Sequence, residues 1–125
     1  MTPALRVLMA EDEVLAAEVL AEGLAEAGFS VLTAVDGQAA LELAAGGALF
    51  DLLLTDLRMP RMDGRELIAR LRAERPDLPV VVMTGFPPPD GADALHPGKA
   101  PLRLLTKPIA IAPLVAALRE VAGLV

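Results

Sequence analysis

The chain has 125 residues, a formal net charge of −6 and no cysteine. Its length fits one domain with a sizeable core, its acidic balance disfavours a nucleic-acid-binding surface, and the lack of cysteine excludes disulfides, thiolate zinc sites and thiol catalysis. The sequence shows neither a membrane span nor the pattern of a signal peptide, so we expect a cytoplasmic protein.

The first half of the chain alternates apolar strands with helices. Residues 5–10 (LRVLMA) are typical of a buried strand, and the acids at 11–13 predict a helix that begins there. Gly28 is placed to end this helix. Residues 29–34 predict a second strand, Asp36-Gly37 a turn, and residues 38–45 a short helix. The expected apolar stripe of the first helix consists of Val14, Leu15, Ala17, Val19, Leu20, Leu24 and Ala27.

The second half continues the alternation from the run FDLLLTDLRMPRMDG at 50–64. Its leucines predict a third strand with Asp56 at the C-terminal end, and Asp63 can cap a helix over 64–74. Residues 79–84 (PVVVMT) and 102–106 predict the fourth and fifth strands, and a last helix with Pro113 in its first turn runs to about residue 121. Five prolines between 87 and 101 restrict any helix over 91–96 to a short or irregular one.

This β-α order, repeated five times, predicts an α/β fold with a doubly wound parallel sheet and helices on both faces. For the strand order 2-1-3-4-5, the winding reverses between strands one and three, and ligands bind at the carboxyl ends of the strands there. Strands one and three are the two that end in acids. The fold and the candidate site therefore agree.

Five polar residues follow or end predicted strands, and a parallel sheet brings them to one edge. They are Glu11, Asp12, Asp56, Thr84 and Lys107. Taken singly, each has a structural explanation: the acids can favour a helix N-terminus, Thr84 is a common strand residue, and Lys107 can be a solvated surface lysine. Their coincidence at one edge favours a functional site.

Three carboxylates in one pocket need a cation, because two of them about 5 Å apart repel by roughly 3 kcal/mol at an effective dielectric constant of 20. Mg²⁺ suits such oxygen ligands and a phosphate oxygen. With Mg²⁺ and Lys107 the charges balance, so the pocket can accept a dianionic phosphoryl group. Asp56 is the candidate nucleophile, Mg²⁺ and Lys107 would neutralise the phosphoryl oxygens, and the Thr84 hydroxyl could donate to one of them.

The combination resembles the CheY-like receiver domains of two-component response regulators. The matching pieces are EDE after strand one, LLLTDLRMPRMDG around the acid, VVVMTG at strand four and LLTKP at strand five. The resemblance implies a flavodoxin-like fold, a single receiver domain over residues 1–125 without an output domain, and no turnover of external substrates. Its implied partner is a histidine kinase or a histidine phosphotransfer domain, which donates a phosphoryl group.

The resemblance also implies a role for each site residue. Asp56 would be the phosphoacceptor, Thr84 the switch hydroxyl and Lys107 the phosphate-pairing lysine. Mg²⁺ would be held by Glu11, Asp12, Asp56 and the backbone carbonyl of Arg58, with Glu11 binding directly or through water. The bond between Lys107 and Pro108 is often cis in this family.

The chain departs from the family at two positions near the fifth strand. Leu104 stands where an aromatic residue usually moves with the switch threonine, and Ile109 stands where Phe is frequent. The route by which a signal leaves the domain is therefore open. Endings of the type TGF…LLxKP favour, from resemblance alone, the receivers attached to hybrid sensor kinases.

Two other functions stay open at the level of sequence. One is a receiver-like interaction module that works without phosphorylation, which the missing aromatic residue favours. The other is a Mg²⁺-dependent phosphatase with an aspartate nucleophile. Such enzymes usually carry a second acid two residues after the nucleophile, where this chain has Arg58.

Overall fold

The computed structural model describes residues 4–89 and 100–123, in which strands alternate with helices. The elements are β1 (Arg6–Ala10), α1 (Val14–Glu26), β2 (Ser30–Ala34), α2 (Gly37–Ala45), β3 (Leu52–Asp56), α3 (Gly64–Glu74), β4 (Val80–Thr84), β5 (Leu102–Thr106) and α4 (Ile111–Val121). The short helix expected over 91–96 lies outside the described residues. None of the helices described is both long and apolar enough to span a bilayer.

The five strands form one parallel sheet in the order β2-β1-β3-β4-β5, which confirms the predicted topology. In the register between the two central strands, Ala10 at the end of β1 lies opposite Thr55 of β3. The chain segments that leave β1 and β3 therefore start side by side. This pairing brings Glu11 and Asp12 next to Asp56.

Helices cover both faces of the sheet, and each face has its own core. Leu8 and Leu53 point to the face covered by α2 and α3, whereas Met9 and Leu54 point to the face covered by α1 and α4. All residues of β3 and β4 are buried. Burial on both faces explains why these two strands are continuous apolar runs instead of alternating ones.

Helix α1 buries fewer residues than its sequence predicts. Ala17, Leu20 and Leu24 are buried, but Val14, Leu15 and Val19 are 59%, 77% and 64% exposed, so their assignment to the buried stripe was wrong. At 3.6 residues per turn, Leu15 and Val19 lie on the side of the helix opposite Ala17 and Leu24. A helix that packs on a sheet buries one stripe of its surface. The seven apolar residues of the predicted stripe are spread over a wider part of the helix surface, so some of them stay exposed.

Two helix starts also differ from the sequence interpretation. Helix α1 begins at Val14, after the acids, and no side-chain hydrogen bond caps it. Asp36 does not only turn the chain: its carboxylate accepts a hydrogen bond from the Ala39 amide and caps α2, which includes Gly37. The predicted end of α1 is confirmed, since Gly28 has a φ of 98°, a conformation that favours glycine.

Candidate functional site

Three carboxylates meet at the C-terminal edge of the sheet. Glu11 and Asp12 directly follow β1, and Asp56 is the last residue of β3. One oxygen from each carboxylate lies within 4.8 Å of the other two. Glu11 and Asp56 are buried, whereas Asp12 is exposed. The structure thus brings together the three acids that the sequence singled out, and it leaves one of them open to solvent.

Lys107 reaches into this cluster from the end of β5. Its Nζ donates to Oδ2 of Asp56 at 2.6 Å and to Oε1 of Glu11 at 3.1 Å. Its backbone amide donates to the Thr84 carbonyl, which continues the pairing of β4 and β5 beyond the last strand residue. The peptide bond between Lys107 and Pro108 is cis, as the resemblance implied. Lys107 is therefore a member of the cluster and not a solvated surface lysine.

The cluster carries more negative charge than one lysine balances. Burial, followed by the hydrogen bond and charge of Asp56, raises the pKa of Glu11 to about 7, although Lys107 partly opposes the shift. Burial alone would lower the pKa of Lys107, but Asp56 and Glu11 outweigh it and raise that pKa above its usual value. A hard divalent cation would favour the ionised carboxylates. The all-oxygen donor set of Glu11, Asp12 and Asp56 therefore fits such an ion.

Thr84 ends the strand next to Asp56 and is buried. Its neighbour Met83 is the residue in register with Asp56, so the hydroxyl lies at the same edge of the sheet. The hydrogen bond described for this hydroxyl is one it accepts from the Phe86 amide at 3.1 Å. Thr84 thus lies at the C-terminal edge of the sheet, and its hydroxyl oxygen accepts a hydrogen bond from Phe86.

The loop after β3 carries Arg58 and is tightly closed. At its start, the Leu57 amide donates to the Met83 carbonyl at 3.1 Å, and at its end the Gly64 amide donates to the Leu57 carbonyl at 2.8 Å. A Cβ on Gly64 would lie 2.4 Å from the Asp56 carbonyl oxygen. The Arg58 side chain points its guanidinium at the ring of Phe86, 5.0 Å from the centroid. These contacts fix the position of Arg58, which lies two residues after the acceptor candidate Asp56.

Sequence reasoning missed an ion pair that supports this loop. Arg61 donates from Nε to Oδ2 of Asp36 at 2.7 Å and from Nη2 to Oδ1 at 3.0 Å. The two residues are 25 positions apart, and no local pattern links them. The signal that the sequence did contain was the position of Asp36 directly before a helix, which is typical of a capping residue.

An apolar groove of about 590 Å³ opens beside the acids. It runs between α1 and the segment after β5 and is lined by Glu11, Glu13, Leu15, Ala16, Val19, Leu20, Met83, Lys107, Pro108 and Ile109. Leu15 and Val19, two of the exposed apolar residues of α1, form part of its wall. The groove and the acidic cluster share Glu11 and Lys107, so a molecule seated in the groove would lie directly beside the acids.

Comparisons with known proteins agree with this arrangement. The model of a family described as "Response regulator receiver domain" matches residues 7–119. A response regulator receiver protein of Anaeromyxobacter is 41% identical over 106 residues, which cover 85% of this chain and 44% of that protein. The receiver protein CpdR of Brucella abortus is 39% identical over 113 residues, 88% of this chain and 90% of that protein.

A solved structure is similar over almost the whole fold. The crystal structure of a response regulator receiver protein from Sinorhizobium medicae gives a TM-score of 0.86 at 28% identity, with 96% of this chain and 95% of that chain covered. The chain spans about half of the length of the first curated relatives it matches. With the family model matched over nearly all of its residues, the chain belongs to the response regulator receiver domains, the CheY-like domains of two-component signalling.

Proposed function

We propose that this chain is a phosphoacceptor: it takes a phosphoryl group from a phosphohistidine onto Asp56 in a Mg²⁺-dependent reaction and signals by a conformational change. The observation that carries the proposal is the position of Asp56, buried at the end of β3, with two further carboxylates within 4.8 Å and the Lys107 ammonium at 2.6 Å. Phosphoryl transfer to aspartate needs a nucleophilic carboxylate, a group of acids that can bind a metal ion, and a fixed positive charge.

In the proposed transfer, a carboxylate oxygen of Asp56 attacks the phosphorus atom of the donor. A P–O bond forms, the P–N bond of the phosphohistidine breaks, and its electron pair returns to the imidazole nitrogen. Lys107, already within hydrogen-bond distance of Asp56, would hold a phosphoryl oxygen by charge. To end the signal, water attacks the phosphorus, the P–O bond to Asp56 breaks, and its electron pair stays on the restored carboxylate while inorganic phosphate leaves.

The metal site would consist of Glu11, Asp12, Asp56 and the backbone carbonyl of Arg58. When bound there, Mg²⁺ would neutralise charge on the phosphoryl oxygens. Glu11 and Asp56 offer buried oxygens and Asp12 an exposed one, so one side of the site stays open to water and to the incoming group. Mg²⁺ usually keeps several waters in protein sites, which fits this half-open arrangement.

The signal would start at Thr84. Its hydroxyl oxygen accepts from the Phe86 amide, and a hydroxyl can accept there while it donates to a phosphoryl oxygen. A movement of Thr84 toward the proposed acceptor would pull on Phe86 and on the described residues 85–89 that follow β4. Leu104 lacks the aromatic ring that would respond to this movement, so we assign the first step of the output to residues 85–89, directly after β4.

The proposed donor is a histidine kinase or a histidine phosphotransfer domain. The apolar groove is continuous with the acceptor site through Glu11 and Lys107, and it exposes Leu15 and Val19 of α1. A protein donor that covers these residues would bring its phosphohistidine to Asp56. We also propose that residues 1–125 form one receiver domain whose output lies in other proteins or domains; attachment to a hybrid sensor kinase stays a prediction.

The test is phosphorylation by a small donor. The protein is incubated with acetyl phosphate and Mg²⁺, and its intact mass is followed over time. We expect an adduct of one phosphoryl group that needs Mg²⁺ and is lost in Asp56→Ala, while Asp77→Asn, an exposed acid on the α3–β4 loop, behaves like the wild type. Absence of any adduct would favour the phosphorylation-independent interaction module. Multiple turnover of phosphate esters would favour a phosphatase.

A further inference from the structure

The loop after β3 contains a strained turn at Arg61. This residue has a φ of 66°, in the left-handed region that side-chain-bearing residues seldom occupy. Across it, the Met62 amide donates to the Pro60 carbonyl at 2.7 Å, a hydrogen bond that closes a three-residue γ-turn. Turns of this kind with a positive φ are rare and persist where the surroundings hold them.

The Asp36–Arg61 ion pair connects this turn to the start of α2. The guanidinium makes a two-point fork with the Asp36 carboxylate, at 2.7 and 3.0 Å, a geometry that fixes orientation as well as distance. Asp36 is itself 5% exposed and caps α2 through the Ala39 amide at 2.8 Å. Arg61 is therefore tied to a carboxylate that cannot easily move.

A second contact joins the same two segments. A Cβ on Gly37, the residue after Asp36, would lie 2.4 Å from the Met62 carbonyl oxygen, so the backbones of the two segments touch. Met62 is also buried in the core shared by α2 and α3. The start of α2 thus braces the middle of the loop, while Leu57 and Gly64 fix its two ends.

We propose that the Asp36–Arg61 pair positions the divalent-cation site by holding the loop that carries the Arg58 carbonyl. This inference rests on the proposed function, in which that carbonyl is a metal ligand. The three carboxylates lie at or next to strand ends, which the sheet fixes. The carbonyl of residue 58 lies in a loop, two residues before the γ-turn. If the fork is lost, the strained turn can relax and move this ligand.

The cation should report such a movement selectively. Mg²⁺ demands near-ideal octahedral geometry, whereas Ca²⁺ accepts variable geometry and ligand number. A displaced carbonyl should therefore weaken Mg²⁺ binding more than Ca²⁺ binding. The direction is informative as well, because loss of the Arg61 charge alone would strengthen the binding of any cation.

The test is an amide-NMR titration of the labelled protein with MgCl₂, and separately with CaCl₂, at constant ionic strength. The variants are Arg61→Gln, Asp36→Asn and Arg61→Gly; asparagine keeps an acceptor for the α2 cap, and glycine adopts a positive φ without strain. We expect Arg61→Gln and Asp36→Asn to raise the Kd for Mg²⁺ by about 10-fold, the low end of what outer-shell changes cause. Arg61→Gly should raise it less, because glycine can keep the positive φ of the turn without strain. The Kd for Ca²⁺ should change clearly less. The double variant Asp36→Asn/Arg61→Gln should lose no more affinity for Mg²⁺ than either single variant does.

The matched control is Arg6→Gln. Arg6 forms a comparable fork with Asp51, with nitrogen–oxygen distances of 3.2 and 3.3 Å, at the opposite edge of the sheet. The Arg6→Gln variant should bind Mg²⁺ and Ca²⁺ with the same affinities as the wild type. If it weakens Mg²⁺ binding as much as Arg61→Gln does, the effect is general loosening and the inference is overturned.

The remaining outcomes separate this inference from the proposed function. If the wild type fails to bind Mg²⁺, both are overturned. If the wild type binds Mg²⁺ and Asp56→Asn abolishes binding, but the Asp36 and Arg61 variants bind as tightly as the wild type, only the positioning role is overturned. Amide shifts of residues 57–63 without metal should differ between Arg61→Gln and wild type, and identical shifts would overturn the positioning role too.

Discussion

At the scale of single residues, Arg72 shows how hydrogen bonds to backbone carbonyls help to hold a buried charge. It lies on α3, is 8% exposed, and donates to the carbonyl oxygens of Leu78, Ala100 and Pro101 at 2.9 to 3.3 Å. Burial lowers the pKa of its guanidinium. The side chain thereby ties α3 to the segments that lead into β4 and β5.

We predict that Arg72→Met lowers the free energy of unfolding by about 3 kcal/mol, because it leaves buried carbonyl groups without this donor. Urea unfolding followed by circular dichroism measures the change. Arg70→Met on the same helix is the control: Arg70 is exposed and pairs with Glu66, and such a pair contributes about 0.5 kcal/mol or less. Equal losses in the two variants would contradict the role given to Arg72.

The sequence pattern did not predict the burial of Arg72. It follows Leu71, which was expected to face inward, and an arginine beside the apolar stripe of a helix usually stays in solvent. Its partners include carbonyls 28 and 29 positions away. The contact of Lys107 with Asp56, in contrast, could be predicted from the sequence, because Lys107 directly follows the fifth strand.

At the scale of elements, the junction of β3 with α3 positions Asp56, the proposed acceptor. The helix starts at Gly64, and Asp63 caps it by accepting a hydrogen bond from the Glu66 amide at 2.9 Å. The missing side chain of Gly64 lets the helix start pack on the backbone of Asp56 and Leu57. This close approach folds the loop back onto the end of β3 and keeps the Asp56 carboxylate at the C-terminal edge of the sheet.

Gly64→Ala should therefore destabilise the fold and displace Asp56, the proposed acceptor. The new Cβ would lie 2.4 Å from the Asp56 carbonyl oxygen, and because this neighbour is backbone, β3 or α3 must shift. We expect a loss of about 2 kcal/mol in the free energy of unfolding, as for other overpacked sites. Gly85→Ala, where nothing lies within 4 Å of the added Cβ, should change it by less than about 0.5 kcal/mol. A Gly64→Ala variant as stable as Gly85→Ala would contradict this account.

At the scale of the whole molecule, the sheet concentrates negative charge. The chain has a net charge of −6, and three of its acids share one edge with Lys107 as the cation in contact with two of them. Their repulsion costs stability as long as no divalent cation is present. The proposed metal-binding function and the stability of the fold are therefore opposed at this edge.

This opposition predicts two effects of Asp12→Asn. Without divalent ions the variant should be more stable than the wild type by about 0.5 kcal/mol, the size typical of an exposed charge interaction. Addition of MgCl₂ should raise the Tm of the wild type by mass action, and it should raise the Tm of the variant less. Thermal unfolding followed by circular dichroism measures both.

The controls for this prediction use charge elsewhere and a monovalent salt. Asp77→Asn removes the same charge from an exposed loop, and its response to MgCl₂ should equal that of the wild type. NaCl at matched ionic strength should not reproduce the Mg²⁺ effect. If Asp12→Asn and Asp77→Asn respond alike, the three acids do not act as one site.

The sequence by itself determined the fold and the members of the acidic cluster. Runs such as Leu52–Leu54 and Val80–Val82 are apolar on consecutive positions, which only strands buried on both faces require. The order of strands and helices then dictates a parallel sheet, and a parallel sheet gathers the residues that follow its strands at one edge. Glu11, Asp56 and Lys107 could be named because their meeting depends on topology alone.

Only the tertiary structure decided which side chains support that site. The fork between Asp36 and Arg61, the burial of Arg72 and the exposure of Leu15 depend on how loops and helices approach one another to within an ångström. Local patterns in a sequence report periodicity and capping, which are properties of neighbouring positions. Contacts between segments 25 or more residues apart are set by the packing of the whole chain, so they became visible in the three-dimensional structure.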